Sequence, residues 1–221
     1  IRVLKETPLA ETTSNMFNQW SAKGEMQATL SVEIPIGVRG EEEVHSDVLV
    51  SIENVLLHMP DFDLDIAHLV GDLRYSNESG LNSDGFIGMA FGRGISGRIS
   101  SQLYDEGGEI VVDVDGSVDL PALYGWSNQV LLSRATGVLN YTTEIHVPFG
   151  SNMGKAYIEA FSDLSGVLLD LPEPLSKPVR NSVHEFTYRQ TFNEPGYRID
   201  LSMDDNLHAS LKIEDGIATG G

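Results

Sequence analysis

Apolar and polar residues alternate with a period of two along most of this chain. Ala28, Leu30, Val32, Ile34 and Ile36 are separated by Thr29, Ser31 and Glu33, and Val48, Val50 and Ile52 are interleaved with Asp47, Leu49, Ser51 and Glu53. Ile110, Val112 and Val114 face away from Asp113 and Asp115. Later come Tyr141, Thr143, Ile145, Val147 and Phe149, then Tyr197, Ile199, Leu201 and Met203, then Leu207, Ala209, Leu211 and Ile213. Successive strand side chains point to opposite sides, so each run predicts a strand with one apolar and one wet face, as in antiparallel sheets. Turn residues separate the runs at Arg39-Gly40, Ser83-Asp84-Gly85, Glu106-Gly107-Gly108, Glu194-Pro195-Gly196 and Asp204-Asp205-Asn206. Strands are expected over 24–36, 44–58, 62–76, 84–91, 95–104 and 108–118, with about five more to follow. Helical spacing occurs twice: Leu9, Thr13, Met16, Phe17 and Trp20 after Pro8, and Leu123, Trp126, Val130 and Leu131 after Pro121.

The pattern repeats. Pro8, Gly24, Pro35 and Gly37 recur 113 residues on as Pro121, Gly137, Pro148 and Gly150, and GEMQATLSVEIPIG from Gly24 aligns with GVLNYTTEIHVPFG from Gly137. ENVLLHMP, ending at Pro60, matches SGVLLDLP, ending at Pro172, at an offset of 112. Self-similarity at a fixed spacing marks one supersecondary unit used twice. The expected fold is therefore mainly β: a long antiparallel sheet, curled into a β-groove, of two repeated units each introduced by a short helix. The first unit covers residues 1–120 and the second, truncated, 121–221, with one continuous sheet through both. Strands of 10 to 15 residues span some 35–50 Å at about 3.3 Å per residue, longer than usual. Their apolar face must meet a second sheet, its own curled edge or a ligand.

Charge narrows the function. With 33 acidic and 14 basic residues the net charge is −19, which repels phosphate backbones, so no nucleic-acid partner is expected. The absence of cysteine excludes disulfides and thiolate metal sites. No apolar run approaches the roughly 20 residues that span a bilayer. The chain opens on Ile1, which reads as a segment of something longer, with any anchor or targeting signal outside it.

Individual motifs carry little chemistry. Gly92-Arg93-Gly94-Ile95-Ser96-Gly97 spells a dinucleotide-binding glycine pattern, but Arg98 to Tyr104 alternates like a strand where that motif needs a helix, so a glycine-bent hairpin is expected. Asp61, Asp63 and Asp65, and Asp113 with Asp115, read as the wet faces of strands, since neither has the bidentate Glu of a calcium loop. His45, His58, His68, His146, His184 and His208 show no ligand-pair spacing, and there is no nucleophile elbow. Asn77-Glu78-Ser79 and Asn140-Tyr141-Thr142 are sequons by pattern alone. No cofactor, metal or enzymatic activity is expected.

The string Leu171-Pro172-Glu173-Pro174-Leu175-Ser176-Lys177-Pro178, preceded by Ser162-Asp163-Leu164-Ser165-Gly166-Val167, resembles a segment of the YhdP-type AsmA-like proteins of Gram-negative bacteria. Glu6-Thr7-Pro8-Leu9, Ile34-Pro35-Ile36, LVGDL from Leu69 to Leu73, and Gly116-Ser117-Val118-Asp119-Leu120 resemble the same family in order. The resemblance implies a periplasmic piece of an inner-membrane-anchored protein with a repeating β-groove, moving phospholipid between the inner and outer membranes. Its contact with membranes would lie in parts absent here. It implies no catalytic residues.

On that reading the groove lining is Leu30, Val32, Ile34, Val48, Val50, Ile52, Ile110, Val112, Val114, Ile145, Val147, Ile199 and Leu201, which would solvate acyl chains. Alternation alone does not separate a groove from a closed β-sandwich whose apolar face is core. A second reading, from another class, is a scaffold that takes a partner protein by strand addition at an open sheet edge.

Overall fold

Alternating sequence becomes long strands here because each strand finds a neighbour immediately next to it in the chain. The computed structural model describes residues 19–33, 45–104, 107–150, 154–173, 176–178, 182–193, 196–205, 207–214 and 217–218. The strands are β1 (Ser21–Glu33), β2 (His45–Met59), β3 (Leu64–Ser76), β4 (Gly80–Ala90), β5 (Arg93–Tyr104) and β6 (Gly107–Asp119). After helix α1 (Leu120–Ser127) come β7 (Ala135–Gly150), β8 (Tyr157–Ser162), β9 (Val167–Leu169), β10 (Phe186–Asn193), β11 (Gly196–Met203), β12 (Leu207–Glu214) and β13 (Ile217–Ala218). Twelve strands form one antiparallel sheet in chain order from β1 to β13, with β9 outside that path and paired to β7. The mainly-β expectation holds.

Two local expectations differ. Ser83-Asp84-Gly85 was expected to turn the chain but lies inside β4, which begins at Gly80. Just before this stretch, side chains join β4 to β5: the Leu81 N–H donates to Ser101 Oγ at 3.0 Å, and the Ser101 N–H to Asn82 Oδ1 at 3.2 Å. The helical spacing after Pro121 resolves into α1 and a separate 3₁₀ turn, Val130–Arg134. Asn128 separates them, in the left-handed conformation (φ 52°) that ends a helix, with its N–H on the Tyr124 carbonyl at 2.8 Å. Most of the helix expected before Trp20 lies outside the described residues. Gly92 does sit in a hairpin turn, between β4 and β5.

The chain divides into two compact bodies. The first holds residues 1–88, 96–112 and 147–153; the second holds 89–95, 113–146 and 154–221. In the first body the most buried apolar residues include Val55 and Met59 of β2, and Trp20 and Phe62 meet edge to face at 6.4 Å. In the second, Leu120, Ala135, Leu164, Val167 and Met203 form a closed cluster, flanked by Leu123, Leu132, Leu139, Leu169, Phe186 and Leu207. That core sits at one end of the strands, where α1 and the segment around Leu164 lie against them. Leu164 is held in the left-handed region (φ 51°), a costly conformation for a bulky side chain that its burial offsets.

Pairing in the two bodies runs in step. Five β7–β8 pairs, from Thr142↔Phe161 to His146↔Tyr157, fall 113 and 112 residues after the five β1–β2 pairs from Thr29↔Leu49 to Glu33↔His45. Ala135↔Leu169 and Thr136↔Leu168 of β7–β9 stand in the same relation to Ala22↔Leu57 and Lys23↔Leu56. Ser162↔Phe186 and Ala160↔Tyr188 likewise correspond to Val50↔Leu73 and Val48↔Tyr75.

Glycine makes both crossings close. At Gly24 (φ 146°) a Cβ would meet the Asn54 carbonyl oxygen and Val55 Cα at 2.7 Å; at Gly137 (φ 113°) it would collide with the Gly166 carbonyl oxygen. Gly137→Ala is therefore expected to cost about 2–4 kcal/mol, combining left-handed strain with overpacking. Gly154→Ala, where a Cβ meets nothing within 4 Å, should change stability by less than about 0.5 kcal/mol. Chemical denaturation of the two variants checks the contrast, and equal stabilities would refute it.

Candidate functional site

Register fixes which side chains share a face. In the first body Leu30 of β1 sits opposite Val48 of β2, which sits opposite Tyr75 of β3. The next rows are Ala28, Val50 and Leu73, then Met26, Ile52 and Gly71. Beyond an irregularity in register, Val55↔Leu69, Leu57↔Ile66 and Met59↔Leu64 continue the series. None of these residues is ionisable apart from Tyr75. The positions between them hold Glu25, Glu33, Asp47, Glu53, Asp65, Asp72 and Arg74, on the other face.

The second body repeats this segregation over five strands. One row is Thr143, Ala160, Tyr188, Leu201 and Ala209; the next is Ile145, Ile158, Gln190, Ile199 and Leu211. The row on the core side is Ser162, Phe186, Met203 and Leu207, and the row beyond holds Phe192, Tyr197 and Ile213. No carboxylate or basic group occupies any of them. The opposite face carries a charge ladder: Glu144, Glu159, Arg189 and Asp200 are in register on four successive strands. There Tyr157 lies between the His146 ring, stacked at 4.2 Å, and the Arg189 guanidinium, 4.0 Å from its centroid.

These apolar faces are only partly buried. Leu30 is 66% exposed and Val32 49%, while Val48, Val50, Ile52, Val112, Val114, Ile145, Ile199 and Leu201 are half-buried. Ile110 and Val147 are buried, at 5% and 8% exposure, so they pack within the sheet rather than meet solvent. Ile34 lies outside the described residues. The pairing joins Leu30 to Val48 and brings Ile199 and Leu201 onto the face that also carries Ile145.

Several face residues escaped the sequence pattern. Met26, Leu73, Tyr75, Ile158, Ala160 and Tyr188 share these rows. Leu73 and Tyr75 were hidden because His68 takes a left-handed conformation (φ 52°) within β3 and shifts the parity of LDIAHLVGDLRYS. Tyr188 was visible only as one of the aromatics at alternate positions in Phe186, Tyr188 and Phe192. Burial, with a smaller effect of Tyr197, pushes the Tyr188 hydroxyl up to about 12, so it keeps its proton and stays a donor.

Two devices hold the core end of the second body. Lys177, fully buried, donates from Nζ to the Val167 carbonyl at 2.7 Å, and its backbone pairs both ways with Leu169 at 3.0 Å. A buried ammonium is retained only when hydrogen-bonded, which accounts for a lysine inside the Pro-rich string. Asp204, left-handed at the β11–β12 turn (φ 49°), takes His184 Nδ1 at 2.7 Å and the Glu185 N–H at 2.9 Å.

The family model described as YhdP protein matches residues 1–220. No curated protein and no solved structure matches the chain. Among the described residues no helix is long and apolar enough to cross a membrane.

The bonds from His184, and secondarily from Glu185, hold the Asp204 carboxyl below its ordinary value despite some desolvation. A carboxylate depressed in the folded state stabilises above its unfolded pKa, about 4, and that contribution is lost as pH falls through the folded value. Asp204→Asn should accordingly lower the melting temperature at neutral pH and converge with the wild type as the pH falls through the folded value of Asp204. Parallel melting curves across that range would show that the clasp contributes nothing.

Proposed function

Because the chain belongs to the YhdP family, a lipid-transport family of the bacterial envelope, we propose that its apolar sheet face binds the acyl chains of phospholipid as a periplasmic segment of an inner-membrane-anchored transfer protein. The observation that carries this reading is the segregation of charge. Over three strands of the first body and five of the second, the ionised side chains lie on one face, and the other is apolar and half-exposed.

A 16-carbon chain in water is unfavourable by on the order of 12 kcal/mol, at about 0.8 kcal/mol per methylene. A carrier must therefore offer a nearly unbroken apolar track. On this reading the lining is Leu30, Val32, Ile34, Val48, Val50, Ile52, Val112, Val114, Ile145, Ile199 and Leu201, with Ile110 and Val147 as its packed base. The same reading divides the chain into two repeats, 1–120 and 121–221. The matching registers at offsets of 113 and 112 support the repeat, and the charged outer face supports solubility. The residues of the lining do no chemistry, so the segment acts by binding alone.

A second reading, strand addition by a partner protein, is favoured by one observation: β1 stands at the end of the strand order and exposes Met26, Leu30 and Val32.

Native mass spectrometry of the purified chain separates the two. The groove reading expects co-purifying phospholipid that falls at least tenfold in Val50→Asp while circular dichroism stays unchanged. Val147→Asp, at a buried position, should unfold the chain instead. A lipid-free chain, or a Val50→Asp variant that keeps its lipid, overturns the reading.

A further inference from the structure

One side-chain amide interrupts the apolar rows of the second body. Gln190 on β10 occupies the middle of the row Ile145, Ile158, Gln190, Ile199 and Leu211, with an isoleucine on each side. Two residues along the same strand, Tyr188 donates its hydroxyl to Gln190 Oε1 at 2.6 Å. The direction of that bond follows from the neighbours. Tyr188 is flanked by Ala160 and Leu201, which offer no side-chain acceptor, so its proton goes to the amide oxygen.

The amide nitrogen is thereby turned away from Tyr188. Among the described residues the Gln190 side chain makes no hydrogen bond other than this one. Half-buried, the NH2 keeps both hydrogens on the face, with access to whatever covers it. The corresponding position of the first body, Asn77, lies beyond the end of β3, and its side-chain oxygen takes the Ser46 N–H.

The chemistry that fits is narrow. An apolar molecule lying across this row would strip water from the amide, and a donor desolvated without an acceptor costs free energy. The ligand must therefore carry an acceptor at this point. No cation shares the rows, and the nearby Arg189 is on the opposite face over Tyr157, so nothing here would neutralise a phosphate. A neutral carbonyl between long apolar chains meets both conditions.

We propose that Gln190, oriented by Tyr188, is a specificity determinant that hydrogen-bonds the acyl ester carbonyl of a glycerolipid, which places the ester region over this row and the chains along the apolar rows beside it. The inference rests on the lipid-binding reading of the face. It assigns ester-linked over ether-linked lipids as the preferred class.

The test compares a diacyl phosphatidylcholine with its dialkyl ether counterpart of the same chain length, measured by fluorescent-lipid displacement on the full chain. A single neutral hydrogen bond predicts about a three- to tenfold tighter apparent binding of the ester lipid. Gln190→Leu should abolish that preference, with ester-lipid binding weakened by loss of the hydrogen bond and ether-lipid binding tightened because no donor is left unpaired beneath it. Tyr188→Phe should reduce the preference, because the amide loses its orienting partner. Equal binding of both lipids by the wild type overturns the inference while the lipid-binding reading stands. Binding of neither lipid sinks that reading itself. A Gln190→Leu variant that keeps the ester preference removes Gln190 as the donor, whatever the wild type shows.

Discussion

Parity is the constraint on which this structure depends. In a strand, one inserted residue sends every later side chain to the opposite face, so a sheet with one charged and one apolar side tolerates an insertion only if its neighbours absorb it. Here they do. β1 breaks register between Lys23 and Glu25, β2 on either side of Val55, and β3 carries a left-handed His68. Gly24, Asn54 and His68 all take positive φ, and the Asn54 side chain is 2.7 Å from the His68 ring. Glycine, asparagine and histidine are among the residues that enter this region most readily. With the irregularities side by side, Ile52 and Val55 stay on one face although they are three residues apart.

The same device recurs in the second body at greater cost to the strand. Gly137 and Gly166 face each other where Gly24 and Asn54 do, and Val167 is as buried as Val55. The partner strand, however, is divided into β8 and β9 by residues 163–166, and Leu164 of that gap drops into the core beneath α1. The Pro-rich string then returns Lys177 to bond the Val167 carbonyl. One end of the apolar face is thus closed by local structure. The rows beyond it remain half-exposed.

Charge distribution and function join at this point. A net charge of −19 makes an acidic surface unavoidable, yet the register keeps ionised groups off the apolar rows of both bodies. Arg189 pairs with Glu159 on the other side, where exposed ion pairs contribute little stability. Two of the polar groups on the apolar side, Tyr188 and Gln190, satisfy each other only in part.

Much of this was legible in the sequence. Alternation placed the strands of the first half to within a few residues, and the 113-residue spacing of Pro and Gly anticipated the offset at which pairings recur, because both follow from backbone periodicity that local residues dictate. Local pattern misled at Ser83 to Gly85, whose polar, turn-like run lies inside β4. Three things were decided only by tertiary structure. Ile110 and Val147 became core while Leu30 stayed wet, since burial depends on what packs above a strand and not on its own alternation. Leu73 and Tyr75 joined the apolar face because bulges in neighbouring strands align. The amide of Gln190 became a lone donor among isoleucines because strands distant in sequence set their apolar side chains beside it, an adjacency that no reading of β10 alone contains.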